Sequence, residues 1–161
     1  MRHHRIMIDD AREFGMQLSN YWDGGGLSDI IDVGLALREL DPQSIPINFL
    51  LPIEGTPLAG VDYLEPYDCL RILCLMRFLN PRTEIRVSAG REAHLRSLQP
   101  LALYPANSVF VSGYLTEPGQ AYEETAAMIR DLGFEIEEHR EGQPPPADRT
   151  GAPCEAVATG G

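Results

Sequence analysis

From Ile45 to Leu51 the chain reads Ile-Pro-Ile-Asn-Phe-Leu-Leu, an apolar run broken by one amide and followed by Pro52-Ile53-Glu54-Gly55-Thr56-Pro57-Leu58. A strand that is apolar on both faces belongs in a parallel sheet covered by helices, because a sheet with one wet face would alternate apolar and polar residues. Parallel neighbours are joined by crossovers and not by hairpins, so strand and helix must then alternate along the chain.

Punctuation elsewhere agrees with that requirement. Ser28 stands where a cap belongs, ahead of a helix carrying Ile30, Ile31, Leu35 and Leu37 that Asp41-Pro42 stops near Leu40. Glu65-Pro66 opens a helix that runs to Leu79 and ends at Asn80-Pro81. The pattern predicts a strand over Glu84–Ala89, a helix over Arg91–Leu103, a strand over Ser108–Val111 and a helix over Gln120–Leu132 closed by Gly133. Upstream it predicts a helix over Arg5–Phe14 closed by Gly15, a strand over Met16–Tyr21, and a loop at Asp23-Gly24-Gly25-Gly26. That glycine run lacks the lysine and the spacing of a phosphate-binding loop and reads as a turn.

Beyond Glu138 the composition shifts to Gly-Gln-Pro-Pro-Pro and small residues with almost nothing to bury. Residues 139–161 are therefore expected to form a disordered tail. Residues 1–138 read as one α/β unit of four βα repeats with a parallel sheet. Either an open doubly wound sheet or half of an eight-stranded barrel satisfies the spacing.

Composition excludes some partners. A net charge of −11 over 161 residues offers no basic patch for nucleic acid, and the acidic run Glu135–Glu141 reads as a solvated surface. No apolar run is long enough to span a bilayer and no signal-peptide pattern opens the chain, so a cytoplasmic location is expected. Cys69, Cys74 and Cys154 have neither zinc-site nor disulfide-framework spacing and read as buried structural thiols. His3 and His4 lie at a terminus, and His94 and His139 are read as solitary surface histidines.

Strand parity singles out two positions. With Ile45, Ile47, Phe49 and Leu51 on the helix-packed face, Asn48 points the other way. On the next strand Ile85 and Val87 face the helices, while Glu84, Arg86 and Ser88 face away. An arginine in the middle of a short parallel strand is costly unless something meets its charge. Asn48 and Arg86 thus mark either a site at the C-terminal end of the sheet or an interior polar layer, with a salt bridge from Arg86 to Glu84 or Glu54.

Around those residues the chain resembles biotin synthase, a radical S-adenosylmethionine (SAM) family, over its C-terminal half. The matching segments are ALRELDPQSIPINFLLPIEGTPLAG (Ala36–Gly60), IRVSAGRE (Ile85–Glu92), ANSVFVSGYLTEPGQ (Ala106–Gln120) and LGFEIE (Leu132–Glu137). The resemblance implies the C-terminal half of a TIM-type (βα)8 barrel, with residues 1–138 as the partial barrel. It further implies sulfur insertion into dethiobiotin, the last step of biotin biosynthesis, with a SAM-bound [4Fe–4S] cluster and a [2Fe–2S] cluster as the family's cofactors. By position, Asn48 matches the family's substrate- and cofactor-contacting asparagine, and Arg86 matches its arginine ligand of the [2Fe–2S] cluster.

The departures from the family pattern set a further expectation. No CxxxCxxC motif occurs in the 161 residues. Where the family has Cys-Ser-Gly-Gly the chain has Leu18-Ser19-Asn20-Tyr21-Trp22, which leaves Ser19 as a degenerate ligand position and a poor partner for iron. The chain alone is therefore expected to bind no cofactor and to be a truncated or split enzyme, inactive without an N-terminal half-barrel partner. The alternative is a homodimer that binds dethiobiotin or biotin through Asn48 and Arg86 without catalysis.

Overall fold

A computed structural model describes residues 5–9, 27–56, 59–60, 64–111 and 119–138. Ser19, the strand expected at 16–21 and the tail at 139–161 lie outside them. The strands are β1 (Arg5–Asp9), β2 (Ser44–Ile47), β3 (Glu84–Val87), β4 (Ser108–Phe110) and β5 (Glu135–Glu138). They form one sheet in the order β2-β3-β4-β1-β5, and every pairing is parallel. The helices are α1 (Leu27–Leu40), α2 (Pro66–Leu79), α3 (Arg91–Leu95), α4 (Gln99–Ala102) and α5 (Tyr122–Asp131).

The α/β class and the parallel sheet agree with the sequence pattern. The neighbouring trio β2-β3-β4, in chain order, is compatible with half of a βα barrel. The helix expected over Arg5–Phe14 is corrected: residues 5–9 are a strand, with Met7 in register with Ser108 on one side and with Glu137 on the other. Pairing on both edges lets Ile6-Met7-Ile8 override a local helical reading. The edge of β4 that a free half-barrel would expose is covered by β1. The outermost strand, β5, carries Glu135, Glu137 and Glu138, charges of the kind that discourage further strand addition.

The α2 helix begins on Pro66, whose missing N–H costs nothing in a first turn. Its apolar stripe Cys69, Ile72, Leu73 and Met76 packs on Ile45, Ile47, Phe49, Ile85 and Val87, which places the core on one face of β2 and β3. Gly34 lets α1 lie close against α2, because a Cβ there would fall 2.5 Å from Leu79 Cδ1. A second cluster joins Leu103, Val109 and Ile129 under β4 and α5.

The helix expected over Arg91–Leu103 is three short pieces: α3, a 3-10 turn at Arg96–Leu98, and α4. Pro100 has no N–H to give the Arg96 carbonyl, so that carbonyl accepts the Gln99 N–H instead and the helix breaks at Arg96. Arg96 itself has φ of 50°.

Arg77, near the end of α2, ties the strand starts together. Its Nη1 donates to the Thr83 carbonyl and its Nε to the Pro105 carbonyl, both at 2.7 Å. Its Nη2 donates to Asn107 Oδ1 at 2.7 Å. The same Asn107 oxygen accepts the Ile85 N–H at 2.9 Å, so this side chain bridges the lead-in to β4 and the body of β3.

Candidate functional site

The sheet face opposite α2 carries a row of polar side chains set by register. Ser44 pairs with Glu84, Pro46 with Arg86, and Arg86 with Ser108. In a parallel sheet, residues in register point to the same face. Ser44, Glu84, Arg86 and Ser108 therefore meet side by side.

Arg86 Nη2 donates to Glu84 Oε1 at 2.7 Å, and Arg86 Nε donates to Ser108 Oγ at 3.0 Å. The hydroxyl of Ser44 donates to the same Glu84 oxygen at 3.0 Å. Arg86, Glu84 and Ser108 are all buried. Of the two counter-ions open to Arg86 from its sequence, the structure places Glu84 at hydrogen-bond distance. The guanidinium charge is met within its own strand.

Asn48 lies just past the end of β2, where the chain leaves the sheet. Its Oδ1 accepts the Ala89 backbone N–H at 3.1 Å, which ties it to the turn between β3 and α3. Phe49 N–H donates to the Ala89 carbonyl at 2.8 Å, and Ser88 N–H donates to the Ile47 carbonyl at 2.9 Å. The two strand ends are thus locked together under this turn. Gly90 completes it with φ of 76°, and a Cβ there would come within 2.0 Å of the Phe49 carbonyl oxygen, so only glycine fits.

Ser88 shares the parity of Glu84 and Arg86. Its hydroxyl is buried and has no hydrogen-bond partner among the described residues. The structure therefore brings Asn48, Arg86 and Ser88 to one end of the sheet. Ser19 lies outside the described residues.

The burial of two charged or titratable groups was not legible in the sequence. His94, expected on the surface, is 1% exposed. It misled because one histidine in a helical segment carries no local sign of burial. Arg91 is 2% exposed. Its Nη2 donates to Glu92 Oε1 at 2.8 Å and to Thr125 Oγ1 at 3.3 Å, while Nε and Nη1 are buried without a partner among the described residues.

The residues on this face do not make an iron–sulfur site by themselves. Among the described residues no three His, Cys, Asp or Glu side chains converge. Cys69 is buried in the core under α2, as expected, where burial pushes its thiol up to about 12, but Cys74, expected to be buried, is exposed because it faces away from the sheet on the same helix. Both cysteines are on the wrong side of the sheet. Arg86 is held as a hydrogen-bond donor by Glu84 and Ser108.

Comparison with known proteins follows the same lines. A family model described as the biotin and thiamin synthesis associated domain matches residues 46–135. The chain is 57% identical over 109 residues to biotin synthase of Bacillus subtilis strain 168, covering 68% of this chain and 32% of that protein. It is 56% identical over 129 residues to biotin synthase of Acaryochloris marina, covering 78% of this chain and 37% of that protein. With biotin synthase of Streptomyces avermitilis the identity is 56% over 109 residues. The chain spans about a third of the length of the curated relatives it matches. No helix among the described residues is long and apolar enough to cross a membrane.

Proposed function

Because the chain belongs to the biotin and thiamin synthesis associated domain family and matches the C-terminal portion of biotin synthase, we propose that it supplies one wall of a reaction chamber for sulfur insertion into dethiobiotin. In this reading β2, β3 and β4 are consecutive strands of a (βα)8 barrel, and the row Ser44, Glu84, Arg86 and Ser108 faces its interior. Asn48 stands at the mouth with its Oδ1 committed to Ala89, which leaves Nδ2 to donate to the substrate. Ser88 lies between Asn48 and Arg86 and completes the polar edge.

The observation that carries the proposal is the buried guanidinium of Arg86, held by Glu84 and Ser108 on the sheet face opposite α2, with a buried Ser88 hydroxyl that has no partner among the described residues. An apolar residue at either place would serve packing better, since burying polar groups costs free energy unless they are used. The cofactor chemistry, a 5′-deoxyadenosyl radical and a sulfur donor, needs cysteines that the 161 residues do not carry in a CxxxCxxC pattern. Those come from the remaining two thirds of the relatives' length, and the chain alone makes no biotin. Its own residues hold the substrate end and close the barrel.

A domain exchange tests this. The matched 109 residues of the Bacillus subtilis enzyme are replaced by those of this chain, and biotin formation is measured in a strain that cannot otherwise make it. Growth without biotin, abolished by Arg86→Met and reduced by Asn48→Ala, is the expected outcome. A folded, soluble exchange protein that makes no biotin overturns the proposal.

A further inference from the structure

One imidazole holds both ends of the connection that follows Asn48. His94 Nε2 donates to the Leu50 carbonyl at 2.7 Å, and His94 Nδ1 accepts the Leu64 backbone N–H at 3.1 Å. The side chain is buried, with its ring centroid 5.6 Å from that of Phe49. Since Nδ1 accepts, the single ring proton must sit on Nε2, so these partners select one neutral tautomer.

We propose that His94 is a positioning residue, a neutral-imidazole clamp that fixes the segments leaving β2 and entering α2 beside Asn48 and lets go of Leu64 when the ring takes up a second proton.

A second proton has only Nδ1 to go to, where it would meet the Leu64 N–H donor against donor. That bond is then lost whatever else surrounds the ring. Burial disfavours the charged ring, Arg96 acts in the same sense, and the Leu50 carbonyl pulls the other way, with the net effect below the ordinary histidine value. Among the described residues, the charged groups on the packed helices make ion pairs of their own. Glu65, at the head of α2, pairs with Arg96 at 3.7 Å, and Asp68 pairs with Arg71. Cys69 of α2 stays a neutral thiol, with its pKa pushed up to about 12. On α3 itself Arg91 pairs with Glu92.

The same short helix anchors a second connection by different chemistry. Glu92 Oε1 accepts the Gln120 backbone N–H at 3.0 Å, just ahead of α5. So α3 pins the connections that follow both β2 and β4, the first through an imidazole and the second through a carboxylate. The Gln120 anchor is therefore an internal control.

The test is nuclear magnetic resonance on the nitrogen-15-labelled chain. Near pH 8 a coupling across the hydrogen bond should link the Leu64 amide nitrogen to His94 Nδ1, with ring shifts of the Nε2–H tautomer. On lowering the pH until the ring nitrogen shifts show that His94 has taken up its second proton, that coupling should vanish. Leu64 protection, corrected for intrinsic exchange, should fall about tenfold while Gln120 keeps its own. In His94→Gln the Leu64 protection should no longer depend on pH across this range. An Nδ1–H tautomer near pH 8, or wild-type Leu64 protection unchanged between the two conditions, overturns the proposal. The wild-type measurement decides even where the variant fails to fold.

Discussion

Glu84 and Arg86 stand two positions apart on β3 and meet at 2.7 Å, each with its side chain only 5% exposed. A carboxylate and a guanidinium so placed cancel each other, and Ser44 and Ser108 occupy further hydrogen-bonding positions on the pair. The polar row is thus a neutral surface and not a cationic one.

Removing one member of that pair should be far worse than removing both. Glu84→Leu leaves the Arg86 charge buried without its partner and should cost about 3–5 kcal/mol in urea unfolding. Glu84→Leu combined with Arg86→Met should recover most of that loss, since a buried pair replaced by apolar groups is often close to neutral. Equal losses in the single and double variants would mean that the two side chains are not coupled.

Asn107 belongs to a segment that the family resemblance singles out, yet its amide oxygen serves the fold. It accepts from Ile85 N–H and from Arg77 Nη2 at once. Asn107→Ala should therefore destabilise by about 2–3 kcal/mol by leaving both donors unmet. Asn107→Asp keeps the oxygen and adds a charge facing Arg77, so it should cost under about 1 kcal/mol. Thermal melts of the two variants separate this role from one in ligand binding, which would be sensitive to both changes.

Gly90→Ala tests the turn that locks Asn48 in place. The new methyl group would meet the Phe49 carbonyl oxygen on a backbone already at positive φ. Both effects act in the same direction, and the loss should be at least about 2 kcal/mol. Ligand-binding measurements on a variant that still folds should show weakened binding too, because the Ala89 N–H that orients Asn48 sits next to the clash.

Much of this architecture could be read from local pattern. The strands β3 and β4 and the helices α1, α2 and α5 lie where apolar period, Pro66, Pro42 and Gly133 placed them, whereas β2 ends at Ile47, short of the expected Leu51, and leaves Asn48 just beyond it. Asn48 and Arg86 stood out because each breaks an apolar strand. The failures share a physical cause. Residues 5–9 pair with strands about a hundred positions away, and nothing local to Ile6-Met7-Ile8 announces that pairing. Arg77 and His94 were missed because most of their partners are backbone carbonyls and amides, which every residue possesses and no sequence displays. The break at Arg96 was within reach, since Pro100 is incompatible with an unbroken helix.

Acid should weaken the fold in two separable steps. His94 lies below the ordinary histidine value of about 6.5 because the folded protein prefers the neutral ring. Its contribution is whole above that value and is lost as pH falls from there towards the lowered folded value. Burial alone would push the Glu92 carboxyl up, but the Gln120 N–H and the Arg91 guanidinium outweigh it and hold it below the ordinary carboxylate range. Its contribution is whole above about pH 4.3 and is lost as pH falls through its folded value. The urea midpoint should accordingly decline once below about pH 6.5 and again below about pH 4.3. His94→Gln should remove the first decline and Glu92→Gln the second. A first decline that survives His94→Gln would assign it to another group, and the imidazole would then not be what makes the β2–α2 connection sensitive to acid.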